Sequence, residues 1–346
     1  TWEKSYKTNI GLEMMLWGKL NLTLDYYWER RKDILIQRSS LPSMAGFDAS
    51  IYANMGEMDN KGVDANLEYQ TRIGNKVGLR LFGNLTYSKN KIVFRDEPAM
   101  QYAYQKSEGT RYGEFYGYIA EGYFQSEEEI KKSPRQMREL APGDIKYKDL
   151  NDDGVIDAND QCYLGKSWFP SWSYGMGFNI NYHNFDLALF FQGVSDVSIM
   201  ANGGSIDTGN GDWGASGVGI VPFTGMGLNP SNVITKALDR WTADNPRADA
   251  WYPRMTANAT TNDNNYVNST HWLKDGSYLR LKQASLGYTL ENKKLMDKGI
   301  EYLYFYLSGQ NLLTFSKFKL WDPELGSNGA KYPLSRMVTL GMRVSF

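Results

Sequence analysis

Two-residue alternation between apolar and polar side chains recurs along this sequence and constrains its fold more than any other feature. Between Leu20 and Glu29, apolar side chains hold one set of alternate positions and mainly polar ones the other. Successive side chains of a strand point to opposite faces, so this spacing predicts an amphipathic strand. Eight further segments share the pattern, at about 8–17, 63–70, 79–88, 172–182, 185–192, 277–290, 301–312 and 336–346. The chain is therefore predicted to be all-β with nine such strands.

The final strand, 336–346, indicates where the apolar faces belong. One face carries Val338, Leu340, Met342, Val344 and Phe346. A soluble protein rarely leaves such an edge exposed, because it templates aggregation. In a membrane barrel the same face meets lipid, and we assign Phe346 as a barrel assembly signal. The last strand of a soluble sandwich remains the alternative at this point.

The connections between strands alternate between very short and long. Tight turns are expected at Gly18-Lys19, Gly74-Asn75 and His183-Asn184, with a short link at 291–299. Long connections are expected at about 38–54, 93–171, 194–276 and 313–334. Bacterial barrels have short periplasmic turns and long extracellular loops, so we assign the long connections to the cell exterior. Nine is an odd number, whereas single-chain barrels have an even number of strands, so we expect this chain to be part of a larger barrel.

Composition excludes several other classes of protein. The 346 residues carry a net charge of -1, which gives no basic field for nucleic acid. One cysteine excludes an intramolecular disulfide, and two histidines leave no Cys/His zinc cluster. No apolar run reaches the roughly 20 residues that a membrane helix needs. No catalytic motif is found, so we do not expect an enzyme.

The stretch 149–160 matches a calcium-binding loop, apart from its last position. The pattern D-x-[DN]-x-[DN]-G-x5-E places oxygen ligands around one hard cation, and here Asp replaces the final Glu. The expected ligands of a structural calcium ion are Asp149, Asn151, Asp153, the Val155 carbonyl and Asp160. The alternative is an Asx-rich turn whose carboxylates cap backbone amides.

Six of the ten tryptophans lie between Trp168 and Trp272, inside or beside the long connections. Exposed rings can contact sugars, peptides or a partner protein, although rings beneath long loops also form small cores. The residues selected as candidate ligand or partner contacts are Trp168, Trp213, Trp241 and Trp251 in the loops, and Tyr302, Tyr304 and Tyr306 on a lumen-facing strand.

A series of short motifs extends over nearly the whole chain. They are Trp2-Glu3-Lys4 with Asn9-Ile10-Gly11-Leu12, Leu24-Asp25-Tyr26-Tyr27 with Lys32-Asp33-Ile34-Leu35, Asn60-Lys61-Gly62-Val63, Pro142-Gly143-Asp144-Ile145-Lys146-Tyr147, Phe185-Asp186-Leu187 with Phe191-Gln192-Gly193, Ser277-Tyr278-Leu279-Arg280-Leu281-Lys282, and Ser308-Gly309-Gln310-Asn311-Leu312. In this order they resemble the C-terminal part of the β-barrel of TonB-dependent outer-membrane transporters of the SusC/RagA family.

The resemblance implies a plugged barrel of about 22 strands, of which this chain supplies the last nine. It implies active import of a nutrient, an oligosaccharide or a peptide, across the outer membrane of a Gram-negative bacterium. The implied partners are a SusD-like surface lipoprotein, the rest of the barrel chain, outer-membrane lipid, and TonB-ExbB-ExbD acting through a plug region. We expect the plug domain and TonB box to lie outside this chain.

Two other classes remain open from the residues alone. A soluble or surface aromatic-rich glycan-binding protein would account for the tryptophans and the calcium loop, but it does not require alternating short and long connections. A passive porin would share the barrel but not the long structured loops or a lid partner. A requirement for detergent would distinguish a transporter from the soluble glycan-binding protein, and copurification of a lipoprotein would distinguish it from the passive porin.

Overall fold

The computed structural model describes residues 2–40, 50–74, 76–202, 234–255, 264–297, 299–329 and 331–346. Trp213 lies outside these residues. Strands are numbered in chain order: β1 (Lys4–Leu16), β2 (Leu20–Gln37), β3 (Tyr52–Ile73), β4 (Val77–Phe94), β5 (Glu114–Gly117), β6 (Ala120–Tyr123), β7 (Ile145–Tyr147), β8 (Cys162–Ser167), β9 (Trp172–Tyr182), β10 (Phe185–Ser195), β11 (Ser198–Met200), β12 (Leu273–Asp275), β13 (Tyr278–Leu290), β14 (Tyr302–Ser316) and β15 (Met337–Ser345). Short helical segments lie at Ala103–Gln105, Glu127–Lys132, Ala158–Asp160, Thr235–Leu238, Lys293–Met296 and Pro323–Leu325.

Nine strands form one antiparallel sheet, in the order β1-β2-β3-β4-β9-β10-β13-β14-β15. The predicted all-β class and the number of sheet strands are confirmed. Each neighbouring pair is consecutive among the nine, so the sheet is an up-and-down meander. β1 and β15 each pair with a single strand among the described residues. Each therefore presents one open edge on which a further strand could pair.

Several strands extend further toward the long connections than the sequence pattern predicts, among them β4 to Phe94 and β14 to Ser316, and β2 and β3 show this most clearly. β2 continues to Gln37 and β3 starts at Tyr52, so the first long connection covers only 38–51. Beyond Arg30 the charged run Arg31-Lys32-Asp33 and the consecutive apolar residues Ile34-Leu35-Ile36 break the alternation. The backbone pairing nevertheless continues, and Arg30 forms an ion pair with Glu57 across it at 2.7 Å. The pairing of β2 with β3 shifts register between Arg31 and Ile34 and again between Ile34 and Leu35, so the two-residue period fails there and the pattern missed these ends.

All four long connections leave the sheet at one end, here called the loop end, and the short ones leave at the opposite turn end. The long connections are 38–51, 95–171, 196–277 and 317–336, and the short ones are 17–19, 74–76, 183–184 and 291–301. Because neighbouring strands run antiparallel, successive connections lie at opposite ends of the sheet. All the long loops are therefore together at one end.

The apolar face of the sheet is open rather than packed. Ile10 is 68% exposed, Leu340 is 82% exposed, and Phe346, just beyond β15, is 84% exposed. A water-soluble domain would bury such a face, whereas a lipid-facing barrel wall leaves it bare. Among the described helices, none is both long and apolar enough to cross a membrane.

The largest buried aromatic cluster lies in the loops at the loop end. Its members include Phe115, Tyr118, Tyr123, Ile145, Tyr147, Ile156, Met200, Trp241, Tyr252, Tyr266 and Trp272. These residues come from both of the longest connections. The described parts of 95–171 and 196–277 therefore fold around one core, and we call them the loop unit.

Candidate functional site

A buried ion pair joins the two longest connections in the loop unit. Asp144 is 1% exposed and accepts a hydrogen bond at its Oδ2 from Arg254 Nη2 at 2.9 Å. The Oδ1 of the same carboxylate accepts from Asn265 Nδ2 at 2.8 Å, and the backbone N–H of Ala141 donates to Oδ2 at 2.9 Å. A buried carboxylate is tolerated only when it is paired and hydrogen-bonded in this way.

Three buried amide side chains extend this connection along β7. Asn265 accepts from the backbone N–H of Ile145 at 2.9 Å, and Asn264 donates to the Ile145 carbonyl at 3.0 Å. Gln136 donates to Asn264 Oδ1 at 2.8 Å and accepts from the Tyr147 backbone N–H at 2.7 Å. The side chains thus satisfy backbone groups that would otherwise be buried and unpaired.

Trp241 and Trp272 form part of the aromatic core of the loop unit. Trp272 is fully buried, donates through Nε1 to the Asn265 carbonyl at 2.7 Å, and stacks on Tyr266 with ring centroids 5.2 Å apart. Trp241 is only 6% exposed, and its ring lies against Gly143, whose φ of +91° and lack of a Cβ permit that approach. The structure therefore places Trp241, a predicted contact residue, in a core rather than on a contact surface.

Burial shifts two ionisable groups beside this core. Mainly burial, with a smaller effect of Lys274, lowers the pKa of His271 to about 4, so its imidazole is neutral at pH 7. Burial also lowers the pKa of Lys274, and Lys236 adds to that effect. The Lys274 ammonium donates to the His271 carbonyl at 2.6 Å and lies 5.3 Å from the centroid of the Trp251 ring.

A cavity of 870 Å³ opens next to Lys274, and its volume falls within the usual range of ligand sites. Its described lining contains four lysines and one aspartate, together with aromatic rings. The charged and aromatic side chains of the lining include Lys236, Trp251, Lys274, Lys317, Lys319 and Trp321. Of the predicted contacts, Trp251 therefore reaches a cavity. Lys236 and Lys317 have acidic partners, Asp239 at 2.7 Å and Asp275 at 3.8 Å. The ammonium groups still outnumber these carboxylates, which suits a ligand or partner that carries anionic groups.

A second cavity, of 450 Å³, is lined in part by Trp168, Tyr278 and Glu324. Its wall is held by Arg280, which is 1% exposed and binds Asp322 through Nη2 at 2.6 and 2.7 Å. The Tyr278 hydroxyl donates to Glu324 at 2.6 Å. Trp168 is thus the second predicted tryptophan that the structure places at a cavity.

The three predicted tyrosines lie far from both cavities. Tyr302, Tyr304 and Tyr306 lie at the turn end of β14, about 40 Å along the strand from its loop end. The Tyr304 hydroxyl donates to Asp186 at 3.0 Å, and its ring stacks on Tyr306 with centroids 5.8 Å apart. The tyrosines and the loop tryptophans therefore do not form one site.

The predicted calcium loop follows β7 and is closed by its own side chains. Asp149 Oδ2 accepts from the Gly154 backbone N–H at 2.8 Å, and Asp153 Oδ1 accepts from the Val155 N–H at 2.8 Å. The Asn151 side chain accepts from the Asp153 N–H at 3.2 Å. These contacts bring four of the five predicted ligand residues into one turn, and they also match the alternative Asx-turn interpretation.

Asp160, the fifth predicted ligand residue, lies at the end of the same loop. It is fully buried, and its two oxygens accept from the backbone N–H groups of Leu150 and Asp157 at 2.7 and 2.9 Å. In the described residues, no group of three or more His, Cys, Asp and Glu side chains meets the geometry of a metal centre. The Oδ1 of Asp149, however, is buried without a hydrogen-bond partner. That orphaned acceptor fits a cation, so calcium stays a prediction.

Several residues that build the loop unit were not selected from the sequence. Gln136, Arg254, Asn264 and Asn265 make the polar connection, and Lys274 makes the cationic cavity wall. The Pro142–Tyr147 motif marked one side of that connection. No local pattern marked the other side, since its members are isolated polar residues in irregular segments.

Comparison with known proteins identifies the family of this sheet and its loops. The model of the family described as "TonB dependent receptor-like, beta-barrel" matches residues 1–312. The chain belongs to this family. The predicted family is thereby confirmed, and with it a location in the outer membrane of a Gram-negative bacterium.

Individual relatives agree with this assignment. The chain is 28% identical to TonB-dependent receptor P3 of Formosa agariphila and 23% identical to TonB-dependent receptor SusC of Bacteroides thetaiotaomicron, covering 100% of this chain and 34% and 32% of those receptors. The RagAB peptide importer in its "open-open" state has the same fold over 100% of this chain and 35% of that chain, with a TM-score of 0.73 and 24% identity. This TonB-dependent receptor chain spans about a third of the length of the relatives it matches.

Proposed function

We propose that this chain forms part of the barrel wall and extracellular loops of a TonB-dependent importer for a nutrient oligomer, either a glycan or a peptide. The observation that carries the proposal is the combination of a bare apolar sheet face with a folded loop unit at only one end. A bare face suits lipid, and a built structure over one mouth suits capture of a ligand rather than open diffusion. The loop end would face the cell exterior.

The two open edges of the sheet support a larger barrel. β1 and β15 would pair with strands from the rest of the protein, because an unpaired backbone edge cannot be exposed to lipid. The plug and TonB box would belong to the same remainder, and energy from TonB-ExbB-ExbD would act through them.

A SusD-like surface lipoprotein is the proposed partner at the loop end. The cavity lined by Lys236, Lys274, Lys317 and Lys319 would receive anionic groups of the ligand or of this lid. The RagAB relative is described as a peptide importer, which supports a peptide, whereas stacking surfaces such as Trp251 support a glycan equally well. The binding experiment therefore includes both glycans and peptides.

Extraction of the full-length protein from outer membranes in mild detergent tests the proposal. We expect a detergent-dependent receptor that copurifies with a surface lipoprotein, and binding of one member of a panel of oligosaccharides and oligopeptides. Recovery of a lone barrel that passes small solutes without selectivity would support a passive porin instead. Recovery as a water-soluble species would support a glycan-binding protein.

A further inference from the structure

A pair of lysines lies on the lipid-facing side of the sheet. Tyr27 of β2 packs its ring against Gly62 of β3, and Ser88 of β4 donates to Asn60 at 3.1 Å, so these residues share one face of the sheet. It is the inner face, because Tyr27 belongs to the mainly polar set of alternate positions in β2. Side chains alternate along a strand, which puts Lys61 and Lys89 on the outer face. Both side chains are exposed.

The register places this pair at the border of the apolar band. Lys61 lies beside Trp28 of β2 and directly opposite Lys89 of β4. One row closer to the turn end, about 7 Å away, Tyr87 and Trp172 pack their rings 4.4 Å apart. Aromatic belts of this kind lie at the headgroup level of a bilayer, so the lysines reach the headgroups at the loop end.

Neither of these lysines forms an ion pair with a carboxylate in the part of the chain that the structure describes. Like charges directly opposite each other destabilise a strand pair, yet neither Lys61 nor Lys89 has an ion-pair partner among the described residues. One row further toward the loop end, Lys91 lies opposite Asp59. Asp59 is in turn 3.6 Å from Arg30, which also binds Glu57 at 2.7 Å. The nearby acids are thus already engaged by arginine.

We propose that Lys61, Lys89 and Lys91 bind the phosphate of an anionic lipid headgroup in the leaflet at the loop end. Three ammonium groups within two rows offer point charges to a phosphate, and the apolar rows below accept acyl chains. Binding would remove the repulsion between Lys61 and Lys89. The site belongs to the outer wall of the barrel and is independent of the nutrient and of TonB.

Native mass spectrometry of the full-length receptor in a zwitterionic detergent, titrated with bisphosphorylated lipid A, tests this site. The double variant Lys61→Gln/Lys89→Gln should bind the lipid roughly thirtyfold more weakly, since each lysine contributes to attraction of an anionic headgroup. The matched control Lys131→Gln/Lys132→Gln removes the same charge from the exposed helix Glu127–Lys132 and should leave the affinity unchanged.

Any one of the following results would overturn the proposal. They are unchanged affinity in the Lys61/Lys89 variant, an equal loss in the control, and equal binding of lipid A from which the phosphates have been removed. Displacement of the lipid by an equal concentration of inorganic phosphate would also overturn it, because the site would then take any phosphate. If the variant fails to fold, Lys61→Arg/Lys89→Arg should keep the affinity, and binding by the unmodified receptor should weaken as salt increases.

Discussion

Arg254 donates to the buried carboxylate of Asp144 at 2.9 Å across a sequence separation of 110 residues. This contact is one of several that join the two longest connections of the barrel sheet into a single loop unit. Together with the Asn264 and Asn265 side chains, it gives the receptor a structured mouth rather than a set of independent loops.

Arg254→Ala should loosen the loop unit. The substitution leaves the Asp144 charge buried without its cation, which costs about 3–5 kcal/mol in comparable buried pairs. Protease resistance and near-UV circular dichroism of the loops should fall while the sheet stays folded. Arg247→Ala is the control, because Arg247 binds Asp239 and Asp249 at an exposed position and should contribute less than about 1 kcal/mol. Equal effects of the two substitutions would contradict a special role for Asp144.

His271 should make the loop unit sensitive to acid. The pKa of His271 is about 4 in the folded chain and near 6.5 when unfolded, so only the unfolded state takes up a proton between these values. Stability should therefore decrease as the pH falls from 6.5 to 4, by up to about 3 kcal/mol. Thermal melts of the loop signal in near-UV circular dichroism measure the trend. His271→Gln should remove it, and an unchanged pH dependence in that variant would be contrary to this assignment.

Calcium should raise the melting temperature of the loop unit if the 149–160 loop binds it. Asp153→Ala should abolish the rise, because Asp153 supplies a carboxylate at the central ligand position. Asp152→Asn is the matched control, since Asp152 is outside the predicted ligand set and Asn tolerates its φ of +58°. Absence of any calcium-dependent shift in the unmodified receptor would leave the Asx turn as the sole role of this loop.

Gly341→Val should weaken the barrel wall near the turn end. The Tyr306 ring covers Gly341 so closely that a Cβ at this position would collide with it. Overpacking of this kind costs about 1–3 kcal/mol. The folded fraction on heat-modifiability gels should fall, and Tyr306→Ser should restore it in the double variant. If the double variant is no more stable than Gly341→Val alone, the close packing is not the cause.

The sheet could be predicted from the sequence because lipid imposes a simple rule on each strand. Every second residue from Leu20 to Trp28 must be apolar, and such periodicity is visible without a structure. The rule ends where the strands leave the lipid and where the pairing of β2 with β3 shifts register near Ile34, so the loop-end segments of these two strands escaped prediction.

The candidate sites were harder to predict because they depend on contacts between distant segments. Composition could not distinguish Trp241, which is buried, from Trp251, which lines a cavity. The cationic character of that cavity arises when Lys236, Lys274 and Lys317 meet in space. Only the calcium-like loop, whose residues are contiguous, could be proposed from local spacing.

Growth of the source bacterium on single nutrients tests nutrient import most directly. Strains that lack the receptor gene or lack TonB should both lose growth on the same glycan or peptide, and re-expression of the receptor should restore growth in the first strain only. Growth on every nutrient without the receptor would contradict a role in import. Receptor-dependent growth that persists without TonB would contradict active transport and indicate a passive porin.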